Sequence, residues 1–264
     1  MNQNQELKMQ LLKEFGICDK PKTIDFCREA YKFLIEGDLM KVVGVDEKTG
    51  DPIIEKTSIG APVSSKITAV DLGLPSGKLW ADRNLGAKSP EDYGAFVSCG
   101  NTDLHFPNED KMDWGDDNEA FDYKFNSEEY KKTPGYKLEG NIDAEHDAAT
   151  VNLGEPWCMP TEDDFQELYD NCDWTRKTVN GVNGYLVTSK NNGNSIFLPC
   201  SGIGDGQSWS LRGSIGYYWS ASLNSQTFGR VLGFYSGGVY PQNDRNRFYG
   251  FAVRPVQTSF SQTK

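Results

Sequence analysis

Apolar positions recur at helical spacing near the start of the chain and at strand spacing towards its end. Leu7, Leu11, Leu12 and Phe15 fall on one face of a 3.6-residue period, and Gly16 closes that run. After Pro21, Ile24, Cys27, Tyr31, Leu34 and Ile35 form a second apolar face, so two helices are predicted within 5–36. Leu39–Val45 and Pro52–Lys56, with Gly50 in the turn between them, predict a hairpin. The stretch 57–66 is rich in Ser, Gly and Pro and predicts a linker. The expected organisation is a helical region with a hairpin over 1–60 and a second domain over 67–260.

In the second domain Val70, Leu72 and Leu74 alternate with polar or small residues, as in a half-buried strand. Pro75-Ser-Gly77 reads as a turn and Leu79-Trp80-Ala81 as the returning strand. The acidic stretch 103–140 has little periodicity and predicts a long surface loop, after which Asp147–Thr150 would close a short helix. Thr161 with Asp164 three residues on has the spacing of a capping box, and Phe165, Leu168 and Tyr169 share one face of the helix that follows. That helix should stop near Asn171. Val179–Gly184 is rich in turn residues, and Tyr185–Ser189 and Ser195–Pro199 read as strands around a tight turn at Asn191–Asn194. Short strands with frequent turns, following a helical start, predict the α+β class.

Composition narrows the function classes. The net charge is −11, and such a surface repels a phosphate backbone, so nucleic acid is not an expected partner. No run approaches membrane-spanning length, so membrane insertion is not expected either. Met1–Lys13 is polar and amphipathic without a signal-peptide core, which predicts synthesis in the cytoplasm without a leader. The six cysteines (Cys18, Cys27, Cys99, Cys158, Cys172 and Cys200) form no CxxC pair and read as buried free thiols.

The last quarter departs from an ordinary surface. From Asn191 through Thr263 there is no Lys, Glu or Met, yet the span holds Trp209, Tyr217, Tyr218, Trp219, Phe228, Phe234, Tyr235, Tyr240, Phe248, Tyr249 and Phe251. Its polar residues are Ser, Asn, Gly, Gln, Asp and Arg. Rigid aromatic area combined with small adaptable hydrogen-bonding groups is the composition of binding loops.

Several segments, in order, carry a family resemblance: Val70-Asp-Leu-Gly-Leu-Pro-Ser-Gly77 with Trp80-Ala81, Ser89-Pro-Glu-Asp-Tyr-Gly94, Asp147-Ala-Ala-Thr150 and Trp157-Cys-Met-Pro-Thr161. They continue with Asn180-Gly-Val-Asn-Gly-Tyr185, Asn194-Ser-Ile-Phe-Leu-Pro199, Gly216-Tyr-Tyr-Trp-Ser220 and Gly250-Phe-Ala-Val-Arg-Pro-Val256. Over about 67–256 the chain resembles a paralogous domain abundant in gut bacteria and their phages. That domain is similar to the C-type-lectin fold shared by formylglycine-generating enzymes and by the variable proteins of diversity-generating retroelements, phage receptor-binding proteins among them. The resemblance implies a C-type-lectin-like domain with a small helical N-terminal appendage. In such retroelements template adenines are randomised, mostly in AAC-type codons. Trp, Gln, Lys, Glu and Met cannot arise from these codons, in agreement with the C-terminal deficit.

The resemblance, combined with strand parity, selects the residues expected to vary. Leu232 and Phe234 point one way along a strand and Val231, Gly233 and Tyr235 the other. Leu232, Phe234, Tyr218, Trp219, Phe251 and Val253 are expected in the scaffold, as are Trp209, Gln226 and Gln242. The expected ligand-binding, variable surface is Ile215, Tyr217, Phe228, Val231, Gly233, Tyr235, Tyr240, Asp244, Arg245, Phe248 and Tyr249. Phe248 and Tyr249 are adjacent, so an extended strand cannot bury both on one face. The implied function is receptor recognition by a phage- or prophage-encoded protein, with a host-surface protein or glycan as ligand. Its N-terminal helices would attach it to a virion or partner subunit.

Other chemistry finds little support. His105 and His146 sit in no metal motif, and there is no GxSxG. Formylglycine-generating relatives use a pair of C-terminal cysteines where this chain has only Cys200, so no catalytic residues are assigned and an enzyme of that type is the least favoured reading. Pro241-Gln-Asn-Asp244 has the wrong order for a sugar-binding calcium motif. The acidic loop, with Asp110, Asp113, Asp116 and Asp117, could offer oxygen ligands to calcium but lacks the EF-hand arrangement. No metal or cofactor is therefore expected. A fixed carbohydrate- or protein-binding adhesin of the same fold is the alternative function.

Overall fold

The computed structural model describes the backbone of residues 40–45 and 52–56, and residues 67–107 and 123–257 with their side chains. The chain divides into two units, Met1–Ser64 and Ser65–Lys264. The helices expected within 5–36, the linker and Asp110–Asp117 lie outside the described residues. In the first unit, β1 (Met40–Val45) and β2 (Pro52–Lys56) pair antiparallel, with Val45 opposite Pro52.

The second unit is mostly β-sheet with a few short helices. It opens with β3 (Ala69–Asp71) and β4 (Leu79–Ala81), which pair antiparallel around the turn at Pro75–Gly77. Among the described residues three α-helices follow: α1 (Ser127–Tyr130), α2 (Ala148–Leu153) and, beyond the short strand β5 (Trp157–Cys158), α3 (Glu162–Asn171). Then come β6 (Cys172–Val179), β7 (Val182–Ser189) and β8 (Ser195–Pro199), a meander in that order. β9 (Ile203–Asp205) and β10 (Ser208–Ser210) form a small hairpin. The sheet that carries the candidate site is β11 (Gly216–Leu223), β12 (Phe228–Tyr235) and β13 (Gly238–Asn246). Finally β14 (Val256–Gln257) inserts between β4 and β5, with Val256 opposite both Trp80 and Cys158.

Local sequence accounts for several of these elements. Thr161 and Asp164 make the reciprocal capping box that starts α3, satisfying donors that the first helical turn leaves unpaired. Asn180 and Gly181 both take positive φ, so β6 and β7 join through a two-residue turn of the twist that a hairpin requires. In two places the structure corrects the expectation. Asp147 does not close a helix but opens one: its carboxylate caps α2, accepting from Thr150 N at 2.9 Å, and also accepts from Met159 N at 2.8 Å. The segment expected to be a surface loop over 103–140 contains α1 and a 3-10 turn, Pro134–Lys137, and buries Phe125 and Tyr130. These aromatics anchor it; the Tyr130 hydroxyl lies 2.8 Å from Cys99 O and 3.0 Å from Gly135 O.

The β11–β12–β13 sheet has a core on each face. Tyr218, Leu232 and Phe234 join one cluster together with Phe165 and Leu168 of α3. Their neighbours Tyr217, Trp219 and Val231 join the other, with Val97, Ala148, Ala149, Met159 and Phe251. Trp219 is fully buried, and its indole donates to Val97 O at 2.9 Å. Arg254, also fully buried, ties the layers together by donating to Asn84 Oδ1 at 2.9 Å, Ala81 O at 3.1 Å and Phe197 O at 2.7 Å. Burial pulls its pKa down to about 10. Cys99, Cys158, Cys172 and Cys200 are free thiols; Cys18 and Cys27 lie outside the described residues.

Candidate ligand-recognition surface

The second core does not cover its sheet face completely. Tyr217, Gly233 and Tyr240 lie opposite one another across β11, β12 and β13, so their side chains share that face. The row starts inside the core at Tyr217, which is 6% exposed, and ends in solvent at Tyr240, which is 40% exposed. Gly233 between them makes the arrangement possible. A Cβ there would come within 2.8 Å of the Tyr217 ring, so the ring edge occupies the space a side chain would need.

Beyond Gly233, Tyr235 on β12 stacks on Tyr240, with ring centroids 5.3 Å apart and planes 18° from parallel. Their hydroxyls are 2.9 Å apart. That hydrogen bond, ahead of a small desolvation effect, raises the Tyr240 pKa. From below, the Tyr185 hydroxyl donates to Tyr235 O at 3.1 Å and ties the strand end to β7. Gly237 and Gly238 form the tip between β12 and β13 beside this pair.

On the other side of Tyr217 the Arg245 guanidinium sits 4.5 Å above the ring centroid and also hydrogen-bonds the Tyr217 hydroxyl. It donates further to Asn243 Oδ1 at 3.1 Å and Asp244 O at 2.7 Å. The cation is thereby fixed over an aromatic face, a geometry that favours Arg over Lys. Behind Tyr217 the aromatic contacts continue. Phe251 lies 5.1 Å from Tyr217, Tyr249 lies 5.9 Å from Phe251, and Phe248 lies 4.5 Å from Tyr249, all between ring centroids. Tyr249 and Phe248 are each partly exposed, as are Asp244 and Arg245. Tyr235 and Tyr240 therefore lie on the same sheet face as Arg245 and Asn243, and Tyr249 and Phe248 join them through Phe251 and Tyr217.

The structure divides the residues singled out from sequence. Val231 was expected on display and is fully buried opposite Trp219; Gly233 and Tyr217 are buried too. Parity separates the two faces of a strand correctly but assumes that one of them meets water. Here α2 and the segments carrying Val97, Met159 and Phe251 cover the second face at that point. Ile215 is partly buried against the same core. Phe228 is exposed, but it shares parity with Arg230, whose Nε pairs with Glu162 of α3 at 3.0 Å. It therefore belongs to the opposite face from Tyr240 and Arg245. Asp244 lies opposite Arg230 and accepts from Asn224 at 2.9 Å, so it also faces that way at the sheet edge. Asn243, missed from sequence, belongs with Arg245; a bulge in β13 between Tyr240 and Asn243 returns it to their face, and no sequence signal marks that bulge.

Such a surface offers aromatic faces, phenol hydroxyls, one fixed guanidinium and amide groups: recognition chemistry rather than a paired acid and base. Among the described residues no group of three or more His, Cys, Asp or Glu could hold a metal ion. No helix among them is long and apolar enough to cross a membrane. His146 pairs with Asp143 at 2.7 Å, and His105 stacks on Tyr123. A search of curated proteins and a search of solved structures return no match. The chain is similar over residues 173–256 to a family described as a domain of unknown function, DUF8237, and that stretch contains every residue of the candidate surface.

Proposed function

We propose that the chain is a binding protein whose ligand surface is built on Tyr235, Tyr240, Asn243, Arg245, Phe248 and Tyr249. One observation carries this reading. On a sheet packed on both faces, the second face loses its cover beyond Gly233, and there Tyr235 and Tyr240 stand stacked in solvent at 38% and 40% exposure. Exposed large aromatics beside a fixed Arg are costly to leave unpartnered and have the make-up of an interface hot spot.

The scaffold in this reading is a C-type-lectin-like fold. Its support is the sequence resemblance together with the return of β14 beside β4, which brings the end of the domain back to its start. The variable residues would be diversified by a retroelement in a phage or prophage, and the ligand would be a host-surface protein or glycan. The N-terminal residues would attach the domain to a virion or partner subunit. Tyr235, Tyr240, Asn243 and Arg245 belong to neither core, so replacing them leaves the packing in place, which is what a diversified surface requires; Tyr249 packs partly against the second core.

The test is binding of the labelled full chain to a panel of gut-bacterial cells, alongside the variant Y235A/Y240A/R245A. Binding by the parent chain that the folded variant loses supports the proposal. Equal binding by both sets it aside. The fixed-adhesin alternative predicts the same binding result but no retroelement near the gene.

A further inference from the structure

A cleft lies on the segment that follows α1, and none of its lining residues belongs to the aromatic surface. It has a volume of about 550 Å³ and is lined by Lys131, Lys132, Lys137 and His146, with Pro134 and Leu138 as its apolar part. No carboxylate is among the described residues that line it, although the chain carries a net charge of −11.

Carboxylates from outside the cleft meet two of the lysines and the His146 ring. Lys131 pairs with Glu128 at 2.6 Å, Lys132 with Glu129 at 2.8 Å, and His146 with Asp143 at 2.7 Å. Each partner sits three residues upstream, and such exposed pairs are weak enough to be shared with a ligand. Two positive charges remain without a carboxylate partner among the described residues: Lys137 on the rim and Arg247 beneath the floor. Arg247 is 1% exposed; it donates to backbone carbonyls, those of Leu138 at 3.1 Å and Gly135 at 2.8 Å being the shortest, and it also meets Tyr130 and the Cys99 thiol. Its Nε has no partner. This places a buried guanidinium behind Leu138, and a charge acts over a longer range through protein than through water. The same hydrogen bonds hold the floor at Gly135 and Leu138 rigid. Glu139 and Glu145 are near in sequence but do not line the cleft.

We propose that this cleft binds a sugar-sized anion: a ring that packs on Pro134 and Leu138 and carries a phosphate or sulfate ester held by the three lysines. The volume lies within the range of small-ligand sites, roughly 300–1,000 Å³, and exceeds what a bare oxyanion fills. The inference is independent of the aromatic surface on β12 and β13.

The test is calorimetric titration of the full chain with glucose 6-phosphate, glucose 6-sulfate, glucose, inorganic phosphate and inorganic sulfate. It is repeated with K131Q/K132Q/K137Q, whose exposed side chains can change without loss of fold; circular dichroism verifies the fold. At least one ester should bind, at least about tenfold more tightly than glucose or the matching inorganic anion, and about tenfold more weakly to the variant. Which ester binds more tightly identifies the anionic group. Glucose binding as well as its esters would refute the role of charge, and the inorganic anion binding as well as its ester would refute the role of the ring. Equal binding by the variant, or no binding by any probe, would overturn the assignment of the cleft.

Discussion

Val231→Ala and Tyr240→Ala separate a buried position from a displayed one on the same sheet face. Val231 is fully buried opposite Trp219. Alanine there removes two methyl groups, worth about 1.6 kcal/mol at roughly 0.8 kcal/mol each. The space left, roughly 50 Å³ if nothing relaxes, adds about 1 kcal/mol at some 24 cal/mol per Å³. The expected cost is therefore about 2–3 kcal/mol. Tyr240 is 40% exposed, and its packing is the stack and hydroxyl contact with Tyr235. Losing one exposed cross-strand pair costs less than about 1 kcal/mol. Urea unfolding followed by tryptophan fluorescence measures both. All six tryptophans lie beyond Ser64, so the signal reports the second unit alone. The midpoint of Val231→Ala should fall at unchanged slope, while that of Tyr240→Ala should barely move. A cost below about 0.5 kcal/mol for Val231→Ala, or equal costs for the two variants, would refute the picture of a face covered up to Gly233 and open beyond it.

Gly233→Ala should destabilise the same transition by about 1–3 kcal/mol, because the new methyl group meets the Tyr217 ring at 2.8 Å while Arg245 holds that ring from above. An unchanged midpoint would mean that the ring is free to move. Cys99 supplies a pH-dependent test. Burial pushes its thiol from 9.0 up to about 12, so the folded state keeps the proton after the unfolded chain has lost it. The thiol's contribution is full below pH 9.0 and is lost as pH rises towards 12. The stability gap between the parent chain and Cys99→Ala should therefore narrow by about 1.4 kcal/mol per pH unit in that window. Parallel curves in urea melts across the window would contradict it.

What could be read from the sequence was what short-range chemistry decides. The capping box at Thr161 and Asp164 was legible in full, and the turns before β4 and β7 approximately: β7 begins at Val182, inside the stretch expected as turn, and β3 ends at Asp71, short of Leu72 and Leu74. Trp219, Leu232, Phe234 and Phe251 were assigned to the core and are buried there. What the sequence hid was the material covering each face. Val231 looks like a displayed position until Val97 and Phe251 come to lie near it, and they come from opposite ends of the domain. β6 was missed because Asp173, Thr175, Arg176, Lys177 and Thr178 are exposed along it and leave no apolar alternation. The basic cleft was masked for a related reason. Its lysines lie close in the chain to Glu128, Glu129 and Glu139, none of which lines the cleft, so a count of charges over 103–140 reads simply as acidic.

Sequencing the C-terminal coding segment in many independent copies of the gene tests the recognition surface most directly. Amino-acid differences should cluster at Tyr235, Tyr240, Asn243, Arg245, Phe248 and Tyr249, arise at adenines of a nearby template repeat, and spare Val231, Gly233, Leu232 and Phe234. Differences spread evenly over the domain, or as frequent at Val231 and Gly233 as at Tyr240, would contradict a surface built for varied recognition.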